Sequence, residues 1–221
     1  MRRLFHLPLS PFCRKIRLVL AEKRLEVELL EEAVWERRSD FFIINPALKV
    51  PVLIIDNNIF SESSAIFEYL EEMYPVPALL PENSIDRAEA RRISAWFDDK
   101  FHSEITSKLL YERVNKKLSR NGYPDSSLIK EGIYNLKSQI NYFESLLEER
   151  KWLAGELLTI ADFSAAAHIS SLDYIGDLDW FQYDNLKHWY MKIKSRPAFR
   201  SILKDNVPGF TPPIHYADLD F

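Results

Sequence analysis

The chain has 221 residues, 47% of them hydrophobic and 28% charged, with a formal net charge of -4. That balance suits a soluble globular protein with a real core, built as one large domain or two small ones. It excludes general attraction to nucleic acid or acidic membranes, and no apolar run is long enough to span a bilayer. Cys13 is the only cysteine, which excludes an internal disulfide and fits a reducing cytoplasm. The five histidines are scattered without ligand spacing, so no metal site is expected.

Arg2 to Leu7 reads as a strand. The prolines in "MRRLFHLPLSPF", and the lack of a small-residue cleavage site, speak against a secretory signal. Pro11 to Arg24 has an amphipathic period, with Ile16, Leu18, Val19 and Leu20 on the apolar side against Arg14, Lys15, Arg17 and Lys23. Glu26 to Glu31 reads as a second strand and "RRSDFFIIN" as a short helix. "VPVLIID" and "NIF" flank Asn57 and Asn58, a two-residue hairpin signal. A helix opened by Ser61 is expected over Glu62 to Met73. The order β-α-β-α-β-β-α implies a parallel pair, then an antiparallel hairpin and a covering helix.

The proline-rich stretch 76–83 reads as a linker, and beyond it only helical periods remain. Helices are expected from about Ser84 to Leu118, Asp125 to Glu149, Thr159 to Tyr174 and Asn185 to Ser195, with a short last one near Pro197 to Lys204. The predicted fold class is α/β plus all-α: an α/β domain over 1–75, a linker, a helical domain over 84–205, and an extended tail over 206–221.

In "SPFCRKIR", Ser10 is a helix N-cap with Pro11 at the first helical position. Free N–H groups there favour an anion or thiolate, so the Ser10 hydroxyl is either a donor to a bound sulfur anion or simply a cap. Cys13, one turn in, is either a thiol of lowered pKa assisted by Arg14 and Lys15 or a buried structural residue. "NPALKVPVLIID" places Val50 before Pro51 at a strand entry. A cis peptide there turns the Val50 backbone toward a peptide-like ligand. Ser61, Glu62 and Ser63 begin a helix, which can hold a carboxylate or merely be capped. Thr159 and Asp162 form a capping box, read as structural.

These stretches resemble the glutathione transferase superfamily. "SPFC" matches its thioredoxin-like nucleophile turn, and "NPALKVP" its loop with the cis-proline. "SESSAI" matches its glutamate-serine pair, "GELLTIADFS" its buried helix and "KSRPAF" its last-helix entry. The resemblance covers residues 1 to about 205. It implies a thioredoxin-like N-terminal domain and glutathione contacts from Ser10, Lys49, Val50, Glu62 and Ser63, with Ser10 or Cys13 nearest the thiol. No tyrosine stands in the alternative activating position, and neither Phe5 nor His6 is an obvious activator. No cofactor is required; glutathione is the ligand the resemblance allows.

The ending "VPGFTPPIHYADLDF" exceeds what ordinary members need. Together with "HLPLSPFCRKIRLVLAEKRLEVEL" and "WERRSDFFIINP", it resembles a subgroup of bacterial cell-division proteins that bind the tubulin-like FtsZ. That resemblance implies FtsZ as partner, a cytoplasmic protein working at the division site, and conjugating activity that is weak or absent. A proline-rich stalk with aromatic and acidic groups suits partner binding. The expected anchors are Tyr216, Leu219 and Phe221, with His215, Asp218 and Asp220 beside them, and Trp35 with Arg37 and Arg38 as a second patch. The tail packing back on its own domain, and Trp35 lining a cleft, are the structural alternatives. A transferase or thiol enzyme using Ser10 or Cys13 is the competing function. Relatives being mostly two-fold dimers, a homodimer is expected.

Overall fold

The computed structural model describes residues 1–220; the expected anchor Phe221 lies outside the described residues. Strand β1 (Arg2–His6) is followed by helix α1 (Pro11–Glu22), β2 (Glu28–Glu31), α2 (Ser39–Ile44), β3 (Val52–Ile55), β4 (Asn58–Ser61) and α3 (Ser63–Met73). The sheet order is β2-β1-β3-β4, with β1 parallel to β2 and both remaining pairs antiparallel. The element order, the parallel first pair and the antiparallel hairpin agree with the sequence reading. The hairpin turn falls one residue earlier than expected: Ile55 pairs with Asn58, so Asp56 and Asn57 make the turn, and Asp56 takes the left-handed conformation at φ 53° that aspartate tolerates.

Helices α4 (Ser84–Trp96), α5 (Ser107–Leu110) and α6 (Lys116–Leu118) are joined by π-helical stretches Phe97–Thr106 and Tyr111–Asn115. The result is one rod over 84–118. Then come α7 (Ser126–Glu149), α8 (Ile160–Tyr174), α9 (Asp184–Lys194) and α10 (Arg200–Leu203). Among the described residues the only β pairing after Ser61 is an isolated bridge, Trp152 to Gly155. Gly132, inside α7, is explained by close approach: a Cβ there would lie 3.0 Å from the Leu109 side chain.

Helix α8 is buried at every residue. Its Thr159–Asp162 capping box is present. Asp162 also accepts hydrogen bonds from the Leu153 N–H at 3.0 Å and the Trp189 indole at 2.9 Å.

The charged side of α1 overturns the amphipathic reading. Arg14, Lys15, Arg17 and Lys23 are all buried, because α1 lies between the sheet and the helical domain. Each charge meets a distant carboxylate: Arg14 and Arg17 meet Asp205, Lys15 meets Asp98, and Lys23 meets Glu71. Arg14 and Lys15, supposed to assist Cys13, are both engaged elsewhere. Local periodicity records only that these positions are polar, and the partners lie as many as 191 residues away.

The tail is not an extended stalk. Ile214–Tyr216 form a 3-10 turn, and Val207 and Tyr216 are buried with Leu9, Leu110, Val114 and Tyr174. An apolar cluster assembled from four separate stretches of chain captures the aromatic ring.

Candidate functional site

A cleft of about 1100 Å³ opens between the two domains. Ser10 stands at its rim because β1 ends at His6 and the turn Leu7–Ser10 closes with a hydrogen bond from the Ser10 N–H to the Leu7 carbonyl at 3.1 Å. Ser10 caps α1, its Oγ accepting the Cys13 N–H at 3.4 Å. A hydroxyl that accepts one bond still has its proton to donate. Cys13 is different. Its sulfur is fully buried, and burial pushes the thiol up to about 11 despite the Ser10 contact. The helix terminus loses to desolvation, so the reading of Cys13 as a reactive thiol is corrected: it is a core residue. His6 is also buried and held down to about 4, by burial first and by Arg17 second. It is not a thiol activator.

Val50, Lys49, Glu62 and Ser63 line the same cleft as Ser10, so the structure brings together all five residues named for glutathione. The Val50–Pro51 peptide is cis, and so is Val76–Pro77, which was not foreseen. Asn45, buried beneath the loop, donates through Nδ2 to the Lys49 carbonyl at 2.9 Å and accepts the Ala47 N–H. It shapes the "NPALKVP" turn. Glu62 is not the first helical residue but the residue before it, at φ 66° with no side-chain cap bond. Glu62 lines the cleft next to Ser63 and Ser64 at the N-terminus of α3.

The opposite wall comes from the rod over 84–118. Asp98, His102, Leu110, Tyr111, Glu112 and Val114 all line it, all but Leu110 from the π-helical stretches. Such stretches often mark functional sites, yet nothing in the local sequence distinguishes them from α-helix. The His102 ring packs edge-on against Phe12 at 4.6 Å. Burial chiefly, and the Lys49 charge with it, lower its pKa.

Trp35 sits in a 3-10 turn, Val34–Glu36, and is half-buried in the cleft wall rather than presented as an exposed patch. Arg38 is engaged by Asp40. In the tail, Tyr216 is 1% exposed and donates through its hydroxyl to the Ile202 carbonyl. His215 Nε2 meets Asp173 Oδ1 at 2.9 Å. These two are internal fasteners, not free anchors. Asp218, Leu219 and Asp220 are exposed, as expected, and so is Ile214 at 98%, which the sequence reading passed over. Among the described residues no group of three or more His, Cys, Asp or Glu side chains is placed to hold a metal, and no helix is long and apolar enough to cross a membrane.

A thioredoxin-like domain joined to a helical domain, with a serine turn, a cis-proline loop and a left-handed glutamate around one cleft, is the glutathione S-transferase fold. Residues 4–84 match the glutathione S-transferase N-terminal domain family and residues 130–206 the C-terminal domain family; the chain belongs to the glutathione S-transferase family. Over its whole length it is 45% identical to FtsZ-localized protein A of Caulobacter vibrioides (strain NA1000 / CB15N), 98% of which is covered. It is 33% identical, over 88% of its length and 89% of the relative's, to a probable maleylacetoacetate isomerase of Caenorhabditis elegans. Among solved structures it superposes on a glutathione S-transferase from Rhodospirillum rubrum F11 with TM-score 0.98, at 46% identity and full coverage of both chains. On FzlA from C. crescentus the TM-score is 0.97, at 45% identity, covering 100% of this chain and 99% of that one.

Proposed function

We propose that this chain is a transferase-fold cell-division protein that binds FtsZ filaments at the division site, through the outward face of its tail and the Trp35 edge of the cleft. The observation that carries the reading is full-length similarity, tail included, to a relative named for its localization with FtsZ. Glutathione S-transferase 3 of Zea mays matches 90% of the chain, whereas the glutathione S-transferase from Rhodospirillum rubrum F11 also matches all of it. The contact residues are Ile214 and Leu219, with Asp218 and Asp220 as the charged rim; His215 and Tyr216 hold that face in place. The same reading includes a two-fold homodimer, which light scattering checks.

A second reading is favoured by the cleft itself. Ser10, Lys49, Val50, Glu62 and Ser63 suit glutathione, the hydroxyl donating to the thiolate and the α3 N-terminus receiving a carboxylate. The expected conjugating activity is weak or absent.

Co-sedimentation with FtsZ filaments, run beside glutathione conjugation on one preparation, separates the two. Leu219→Ala should weaken pelleting by about tenfold or more, as loss of an anchor does. Asp218→Lys should weaken it in a salt-dependent way. Ser10→Ala should leave pelleting unchanged. Normal pelleting of both tail variants overturns the first reading, and robust conjugation lost in Ser10→Ala establishes the second.

A further inference from the structure

The residue before the thiol-site serine and the tail are packed into one apolar cluster, separate from the main core. Leu9 lies in it with Leu110, Val114, Tyr174, Val207 and Tyr216. Arg14 is wholly buried beside this cluster, its guanidinium 5.9 Å from the ring centres of both Tyr174 and Tyr216. Its Nε donates to the Pro8 carbonyl at 2.7 Å and its Nη1 to Ser170 at 2.9 Å. Ser171 donates to the Leu9 carbonyl at 3.0 Å. The Leu9 carbonyl is therefore held from the helical domain, and the Pro8 carbonyl by an arginine of α1 that the tail covers. The tail is fastened by His215 on Asp173 and by Lys194 Nζ on the His215 carbonyl at 2.8 Å.

We propose that the C-terminal segment is a clasp on the turn that presents Ser10, so that a protein gripping the seated tail and a thiol ligand in the cleft favour each other. The clasp stands on the packing alone. The two occupants rest on the function proposed above.

The physical link runs through Arg14 and Leu9. With Tyr216 seated, the guanidinium is shielded from water and its hydrogen bond to Pro8 is worth more than in solvent. With Tyr216 withdrawn, Leu9 and Arg14 face water and the turn loosens. The outward residues Ile214 and Leu219 keep a fixed geometry only while His215 and Tyr216 are seated. A partner that reads that geometry selects the seated state, and a ligand that needs an ordered Ser10 turn selects it too. Coupling of this kind is reciprocal by thermodynamic necessity.

Cys13, the only thiol in the chain and bonded through its N–H to Ser10, reports the opening without any label. The test compares the full-length protein with Tyr216→Ala, Tyr216→Phe and Ile140→Ala, the last a control in the main core of the helical domain. Modification of Cys13 by dithionitrobenzoate is followed under native conditions, with hydrogen exchange of residues 7–13. Tyr216→Ala should react at least about tenfold faster than an Ile140→Ala protein of matched thermal midpoint, while Tyr216→Phe stays near wild type. Glutathione affinity by calorimetry should fall about threefold or more in Tyr216→Ala. Equal Cys13 rates in Tyr216→Ala and the matched control overturn the clasp. If Tyr216→Ala does not fold, His215→Ala takes its place with the same criterion. If wild type binds no glutathione, the thiol-ligand reading falls, while the Cys13 and exchange rates still decide the clasp.

Discussion

Cys13 lies three residues into α1, where free N–H groups favour a thiolate, yet its thiol is pushed up to about 11 by burial. The same force acts on three histidines. His6 is held down to about 4, His102 is lowered, and His168, whose Nδ1 shares a hydrogen bond with Thr106, is lowered well below the ordinary value. The sign of the pH dependence follows. The unfolded chain takes up protons on these residues near pH 6.5, and the folded chain does so only at lower pH. Their contribution is therefore complete above about pH 6.5 and is lost as pH falls through each folded value, about 4 for His6 and likewise below the ordinary value for His102 and His168. Asp162, pushed up to about 6 by burial, acts oppositely: its contribution to stability is present at low pH and is lost as pH rises through about 6. Urea midpoints measured from pH 8 to 4 should fall for wild type, and the fall should be shallower in His168→Gln. An unchanged slope in that variant would mean that His168 carries none of the effect. The sequence left Cys13 open between a reactive thiol and a buried structural residue, and offered no sign that the histidines are buried; burial depends on which distant element lies above.

At the scale of elements, local signals served well. The Ser10 cap, the Thr159–Asp162 box, the strand-and-helix order and the long helical period over 84–118 all follow from side chains within one or two turns of each other. What lacked a local signal was missed: the π-helical stretches of the cleft wall, and the wider role of Asp162. That carboxylate serves the α8 cap, the Leu153 loop and the α9 indole together. Thr159→Ala removes only a cap, at a cost of about 1 kcal/mol. Asp162→Ala leaves several buried donors without an acceptor at about 1–3 kcal/mol each, which for a chain of this size lowers the thermal midpoint by roughly 10 °C. Calorimetry on the pair of variants checks the ranking. Equal losses would confine Asp162 to its capping role.

For the whole molecule, the decisive contacts join residues far apart in the chain. Asp205, just after α10, accepts from Arg14 at 3.2 Å and from Arg17 at 2.8 Å and 2.9 Å, with its side chain only 8% exposed. Breaking a buried pair strands a charge at a cost of about 3–5 kcal/mol. Asp205→Ala should therefore lower the urea midpoint clearly, whereas Asp40→Ala, which breaks the exposed pair with Arg38, should leave it unchanged. Similar midpoints for the two would remove Asp205 from the set of residues that hold the domains together. The tail belongs to this scale too. Its aromatic groups looked free because the cluster that receives Tyr216 exists only once both domains are folded.

The buried charges of α1 also bear on how the chain could be divided. The change from mixed sheet to helices near residue 80 marks where one topology stops and another starts, but it is no seam in cooperativity. Cut there, the first half would present Arg14, Lys15 and Arg17 as a row of orphaned cations where the helical domain had been. The second half would keep Asp98 and Asp205 with nothing to neutralise them. The thioredoxin-like half of this chain is not a portable module, and the two halves are expected to melt as one.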